Sequence, residues 1–411
     1  MLASIKITFA QDDVLDAKTS DPIKMGWMQG FKPAEDKIVS LADGSFFQFP
    51  AMRYSVCNMR QFMPTVNVPS SPSNHYSFKS NIDKKINNIE FKPWGAEKNI
   101  TWEESLLRNY TDGILILHKG KIVYEQYFGA LGPGGTHAVM SVSKTFTGTL
   151  GALLVVEGTL DENKTAKEYV PELQNSAFAD ATVRQILDMT TALQYNEDYS
   201  DPKAEVWEFS SSKFYYDYLI KVNKSGNHGD AFGYKTINTD ALGWIISRVT
   251  GKSIPLLVSE KFWKPMGANY DGYYTIDQAG IAFAGGGFNA NLRDLAMFGE
   301  MIRRNGYFNG RQVLPKSLVT NITEGGSQIA FEKAGYKDLK GWSYRNMWWI
   351  THNEHKAFSA RGVHGQTIYI DPTAEMVIVR LASHPEAKNA INDPTSLPAY
   401  LAVAKYLMNK K

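Results

Sequence analysis

Ser141-Val142-Ser143-Lys144 stands at the head of a run of small and apolar residues, Thr147-Gly148-Thr149-Leu150-Gly151-Ala152-Leu153-Leu154. On a helix, residues three apart share a face, so the Ser141 hydroxyl and the Lys144 amine can meet. A serine at a helix N-terminus also lies in positive potential that favours its alkoxide. The pair is a nucleophile with a built-in base. Lysine acts as a base only when it is neutral part of the time, which requires its pKa to fall from about 10.4 toward about 7, and burial can do this. The apolar run after Lys144 predicts a central, enclosed helix. The competing reading is a capping serine with a lysine that snorkels to solvent. Ser210-Ser211-Ser212-Lys213 has the same spacing but lies in a polar stretch with no apolar helix attached, and is read as structural.

Two further segments carry chemistry. Tyr234-Lys235-Thr236-Ile237-Asn238 precedes a helix, and a tyrosine in such a turn can aim its hydroxyl into a cleft and relay a proton to a leaving group. Its alternative is a structural tyrosine. In Arg361-Gly362-Val363-His364-Gly365-Gln366, two glycines open an expected strand and let backbone approach a ligand closely; edge-strand amides there can donate to an oxyanion, although a plain bulge has the same pattern. Other chemistries lack their residues. There is no Gly-Xaa-Ser-Xaa-Gly elbow, and His352 and His355 lack the helical spacing and glutamate of a zinc protease. Gly285-Gly286-Gly287 does not form a phosphate loop between a strand and a helix. Neither a metal nor a cofactor is expected.

These residues need a scaffold. β-rich runs at residues 114–118 and 122–127 flank Lys119-Gly120-Lys121, a hairpin signal, and a second strand–turn–strand pattern occupies residues 366–370 and 376–382. If both hairpins join one antiparallel sheet, the long middle is an insertion of helical pattern, which points to an α+β layout. Helices are expected over 142–157, 183–189, 239–249 and 397–409, the first and third stopped by Gly158 and Gly251. Another begins at the cap Asn291, carries Leu295, Phe298, Met301 and Ile302 on one face, and ends at Gly306. Residues 12–99 are aromatic, punctuated by proline and without sustained periodicity.

The chain of 411 residues has 44 Lys and Arg against 42 Asp and Glu, so its net charge of +2 gives no field that favours nucleic acid. Its single cysteine, Cys57, can form neither an internal disulfide nor a thiolate zinc site. No apolar run reaches the roughly 20 residues of a membrane-spanning helix. Residues 1–10 resemble a signal peptide only faintly, which leaves a periplasmic or a cytoplasmic location open.

Taken in order, Ser141-Val142-Ser143-Lys144, Tyr234-Lys235-Thr236 and the Gly362 strand resemble the three motifs of the serine β-lactamase and penicillin-binding-protein superfamily. The likeness is closer to its 6-aminohexanoate-dimer hydrolase branch. It is carried by the segment from His137 to Thr145, Tyr169-Val170-Pro171-Glu172-Leu173, Gln185-Ile186-Leu187-Asp188-Met189, Tyr195-Asn196-Glu197-Asp198-Tyr199, Asn238-Thr239-Asp240 and Val363-His364-Gly365-Gln366. It spans roughly residues 105–385. The resemblance implies a β-lactamase/transpeptidase-like α+β fold, an antiparallel sheet flanked by helices on both faces plus a helical subdomain. On that reading residues 1–100 form an irregular extension packed on a hydrolase domain over 101–411, with sheet from about 113–128 and 363–383 and a helical subdomain over about 159–290.

It also implies that Ser141 is acylated, Lys144 takes its proton, Tyr234 protonates the departing group, and the N–H groups of Ser141 and Val363 form an oxyanion hole. Tyr199, Thr236, Gly362 and His364 would contact substrate, with Tyr199 closing over it. The expected partner is a small-molecule ester or amide, and the expected assembly a monomer or homodimer. Two departures bear on substrate. Ala360-Arg361-Gly362 replaces the Lys-Thr-Gly of β-lactamases, which removes the lysine that helps bind a β-lactam carboxylate. Ser210 and Gly285 stand where the efficient dimer hydrolase has an aspartate for the substrate ammonium and an asparagine. A carboxylesterase needs none of these. A D,D-peptidase or β-lactamase, or a catalytically inactive penicillin-recognising module, are the alternatives.

Overall fold

The computed structural model describes residues 14–410; the signal-like start at residues 1–10 lies outside them. The two hairpins do join. Thr111–His118 pairs antiparallel with Met376–Ala382, so strands more than 250 residues apart in sequence lie side by side within an eight-stranded sheet. From one edge it runs Ser343–Arg345, Trp348–Ile350, Phe358–Gly362, Gln366–Asp371, Met376–Ala382, Thr111–His118, Lys121–Tyr127 and Lys79–Ser80. Only the last pairing is parallel. The central strands read as near-continuous apolar runs because both faces are covered, by the helices Val142–Val156 and Leu292–Arg303 on one side and by Asn389–Asn409 on the other.

A smaller four-stranded antiparallel sheet joins Thr65–Val68, Gly272–Thr275, Phe288–Ala290 and His137–Ala138. Residues 159–290 are therefore not wholly helical: two of these strands lie within them. The N-terminal stretch supplies an edge strand to each sheet, Thr65–Val68 and Lys79–Ser80. It is clasped to the rest by buried Arg53, which pairs with Asp112 at 3.1 Å, while the other Asp112 oxygen faces His137 Nε2 at 3.3 Å.

The helices follow their stop signals. Ile237–Thr250 ends on Gly251 in the left-handed region, and Asn291 Oδ1 accepts from Arg293 N at 3.0 Å to start Leu292–Arg303. The segment expected over 183–189 starts on a Thr182/Gln185 capping box and closes earlier, as Val183–Leu187. The last helix differs from expectation. It begins at Asn389, not near residue 397, and runs through Pro394 and Pro398. Pro398 has no N–H for the carbonyl of Pro394, and Trp94 N donates to that oxygen at 2.9 Å instead. Tertiary contact thus repairs the defect that reads locally as a helix boundary. Among the described residues no helix is long and apolar enough to cross a membrane.

Candidate active site

Strand His137–Ala138 delivers the chain to Met140, whose φ of 48° turns it sharply into the helix headed by Ser141. A non-glycine residue in that region is strained, and the surroundings hold it there. Ser143 does much of the holding: its hydroxyl donates to Met140 O at 2.6 Å and accepts from Phe288 N at 3.0 Å. The helix itself is buried from Val142 through Leu154. Its apolar length packs beneath the site through rings such as Phe146, stacked on Phe298 with centroids 4.1 Å apart.

Lys144 is 1% exposed, and its Nζ stands 2.9 Å from Ser141 Oγ while donating to Gly285 O at 2.7 Å. Burial holds its pKa down at about 8, against the pull of Glu197 and Asp240. Burial also raises both carboxyl groups. Glu197 accepts from Thr236 N at 2.6 Å and from the Thr236 hydroxyl. Asp240 Oδ1 lies 3.4 Å from Gly285 N, and its Oδ2 has no partner among the described residues. Tyr234 completes the group. It lines the same cavity as Ser141, and its ring lies 5.1 Å from Lys144 Nζ and packs on Trp349 with centroids 5.5 Å apart. Burial, then the charge of Glu197, keeps the phenol protonated well above its ordinary pKa.

The strand Phe358–Gly362 ends against the nucleophile. A Cβ on Gly362 would lie 2.8 Å from Val139 O and 3.0 Å from Ser141 N, so only glycine permits this approach. Gly362 closes its strand rather than opening one, and Val363 lies in the turn between two interior strands, not at a sheet edge. Neither Ser141 N nor Val363 N donates to a backbone carbonyl among the described residues. Both residues line the cleft.

Two cavities meet here. One, of about 300 Å³, is lined by Ser141, Glu197, Tyr234, Trp349 and Arg361; the other, of about 150 Å³, has Phe46 and Phe47 in its lining. Ser141, Tyr199 and Val363 line both. Tyr199 packs edge-on against Trp207 at 5.5 Å, and its loop is tied to the start of the last helix by Asp198 and Lys388 at 2.9 Å.

Of the other expected contact residues, Thr236 lines the second cavity, but its N–H and hydroxyl are engaged by Glu197. His364 corrects the expectation: it lines neither cavity, its Nδ1 faces His384 O at 2.7 Å, and its ring stands edge-on to Phe47. The left-handed backbone at His364 turns the side chain away from the cleft while Val363 faces it. Arg361 does line the first cavity, but its guanidinium is paired with Asp393 and lies 5.1 Å from the Trp349 ring centroid. Gly285 has no room for a side chain, since a Cβ would lie 2.6 Å from Thr236 Cγ2 and 2.8 Å from Asp240 Oδ2. Glu197 and Asp240 escaped assignment although both lie in segments that carry the resemblance. The walls given by Phe46, Phe47, Met59 and Met63 had no local signal at all.

The Beta-lactamase family profile matches residues 105–397. The chain is 36% identical over 296 residues to the 6-aminohexanoate-dimer hydrolase of Paenarthrobacter ureafaciens, covering 69% of this chain and 75% of that protein. A Bacillus anthracis structure provisionally assigned as a 6-aminohexanoate-dimer hydrolase superposes with a TM-score of 0.81 at 32% identity, over 92% of this chain and 98% of its own. A family VIII carboxylesterase shares the fold, with a TM-score of 0.56 at 15% identity over 73% of this chain and 96% of its own. The profile match extends well over half the sequence and includes every residue of the serine–lysine–tyrosine group, so this protein belongs to the β-lactamase family and is a serine hydrolase of that family.

Proposed function

We propose that the protein cleaves carboxylic esters and linear amides through an acyl-enzyme on Ser141. The observation that carries this reading is the 2.9 Å separation of Ser141 Oγ from an amine that burial holds far below the usual lysine range. Neutral Lys144 accepts the Ser141 proton as the oxygen attacks the carbonyl carbon. The resulting oxyanion is stabilised by the N–H groups of Ser141 and Val363, which need no reorganisation at that moment. Tyr234 gives its proton to the departing nitrogen or oxygen and recovers one from protonated Lys144, leaving the ester on Ser141, neutral Lys144 and a neutral amine or alcohol. Water then attacks the acyl-enzyme with Lys144 again as base, and the acid is released.

The name of the Paenarthrobacter relative supports linear amides, and the carboxylesterase fold neighbour is consistent with esters. A β-lactam reading loses support because Ala360 stands in the position of the missing lysine and the charge of the adjacent Arg361 is already matched by Asp393. The test is a panel of p-nitrophenyl esters, linear amides and a chromogenic cephalosporin, with intact-mass detection of the acylated protein. Acylation by esters that maps to Ser141 is expected; an unmodified Ser141 during turnover overturns the proposal.

A further inference from the structure

We infer that the smaller cavity is an acyl-chain site for an uncharged apolar chain of about six carbons, and that the N-terminal stretch builds the wall that selects it. The inference rests on the mechanism proposed above, because that mechanism fixes which arm of the substrate lies where. The scissile carbonyl must sit at Ser141 and Val363, which line both cavities, so one arm enters each. Tyr234 lines the larger cavity and not the smaller. The group it protonates leaves through the larger cavity, and the acyl arm occupies the smaller.

The two cavities differ in chemistry. The larger is bordered by Lys337, Asp338, Arg361, Lys388, Asp393 and Glu197, charges of both signs that suit a polar leaving group. The lining of the smaller has no Asp, Glu, Lys, Arg or His. Phe46, Phe47, Met59 and Met63 line it together with Phe283 and with Trp207, whose ring meets Phe47 edge-on with centroids 6.2 Å apart. Ser210 also lines it, with its hydroxyl already bonded to Val206 O at 2.6 Å. Asn289 offers one neutral acceptor, Oδ1, which has no partner. One such atom does not compensate a buried ammonium. A volume of about 150 Å³ holds roughly five groups of water or methylene size at about 30 Å³ each, beyond the carbonyl carbon held at Ser141. The methionines and phenylalanines belong to a segment that the hydrolase core does not need for its nucleophile, base or proton relay. Their place against the site gives that segment a task in choosing the substrate.

The experiment uses the full chain and p-nitrophenyl esters that share one leaving group: acetate, butyrate, hexanoate, decanoate and 6-aminohexanoate. The expected kcat/KM rises about fourfold per added methylene up to hexanoate, as burial of each CH2 predicts, then levels or falls at decanoate. The 6-aminohexanoate ester is expected at least about tenfold below hexanoate, its uncharged counterpart of matching length. Met63→Trp should move the preferred chain toward butyrate, and Phe47→Ala should move it toward decanoate. A flat dependence on chain length, or equal use of the aminated ester, overturns the acyl-site assignment even when Ser141 is acylated by every ester. An unchanged length preference in both soluble variants overturns the role of the N-terminal wall. Absence of acylation at Ser141 by any ester is a separate result, which refutes the proposed mechanism itself.

Discussion

Among the Ser-Xaa-Xaa-Lys tetrads of this chain, those at Ser141 and Ser210 are treated by the fold in opposite ways. Ser141 caps the N-terminus of the buried helix Val142–Val156, where the unpaired N–H groups give positive potential, and Lys144 is enclosed beside it. Ser210 is the last residue of the short helix Glu205–Ser210, at the negative end, with its hydroxyl turned back onto Val206 O. Lys213 is exposed to water. The difference teaches that the motif is chemistry only when the helix end and the burial agree: a lysine in water remains protonated, and a serine facing carbonyls is a donor, not a nucleophile.

The largest expected effect that separates the two tetrads is at the nucleophile. Ser141→Ala should abolish acylation, with kcat/KM down by about 10⁴-fold or more and the thermal midpoint little changed; retained turnover would refute the assignment. Lys144→Ala should cost about 10³-fold or more, whereas Lys213→Ala should stay within about twofold, by steady-state kinetics on one ester. Equal effects would erase the distinction. Tyr234→Phe should cost about 10²-fold, through loss of the proton delivered to the leaving group. Tyr199→Phe should slow amide cleavage by about tenfold and ester cleavage by less, because alkoxides depart with less help than amines; matched losses would count against a role for Tyr199 at the leaving group.

The smallest effect sharpens the electrostatic half of the comparison. Below about pH 8 Lys144 takes up a proton and can no longer receive one from Ser141, so kcat/KM should fall with pH on the acid side and level off above it. The negative charge of Glu197 raises the Lys144 pKa, so Glu197→Gln should shift the acid limb to lower pH by a fraction of a unit while the amide oxygen still accepts from Thr236. A shift to higher pH would mean that Glu197 acts on Lys144 by some route other than its charge.

Particular residues show where sequence reasoning reached and where it stopped. The two hairpins, the cap at Asn291, the stop at Gly251 and the enclosed helix after Lys144 were readable because each depends on local pattern or a backbone requirement. The last helix was placed eight residues too late, since Pro394 and Pro398 read as a boundary until Trp94 is seen to satisfy the freed carbonyl. The resemblance implied a substrate contact for His364, but a left-handed backbone sends neighbouring side chains in different directions. The N-terminal stretch looked irregular because its short strands depend on partners far away in sequence, such as Gly272–Thr275.

By itself the sequence determined the chemical type of the site: a serine and a lysine one helical turn apart, a tyrosine in a turn before a helix, and glycines that admit backbone to close quarters. These follow from spacing and backbone sterics, which act over a few residues. Tertiary structure alone decided that the Lys144 amine is dry, that Glu197 and Asp240 flank it, that Arg361 is matched by Asp393, and that Phe46, Phe47, Met59 and Met63 wall one side of the cleft. Burial, and the charges that act through it, are properties of what the rest of the chain brings alongside, and no short stretch of sequence contains them.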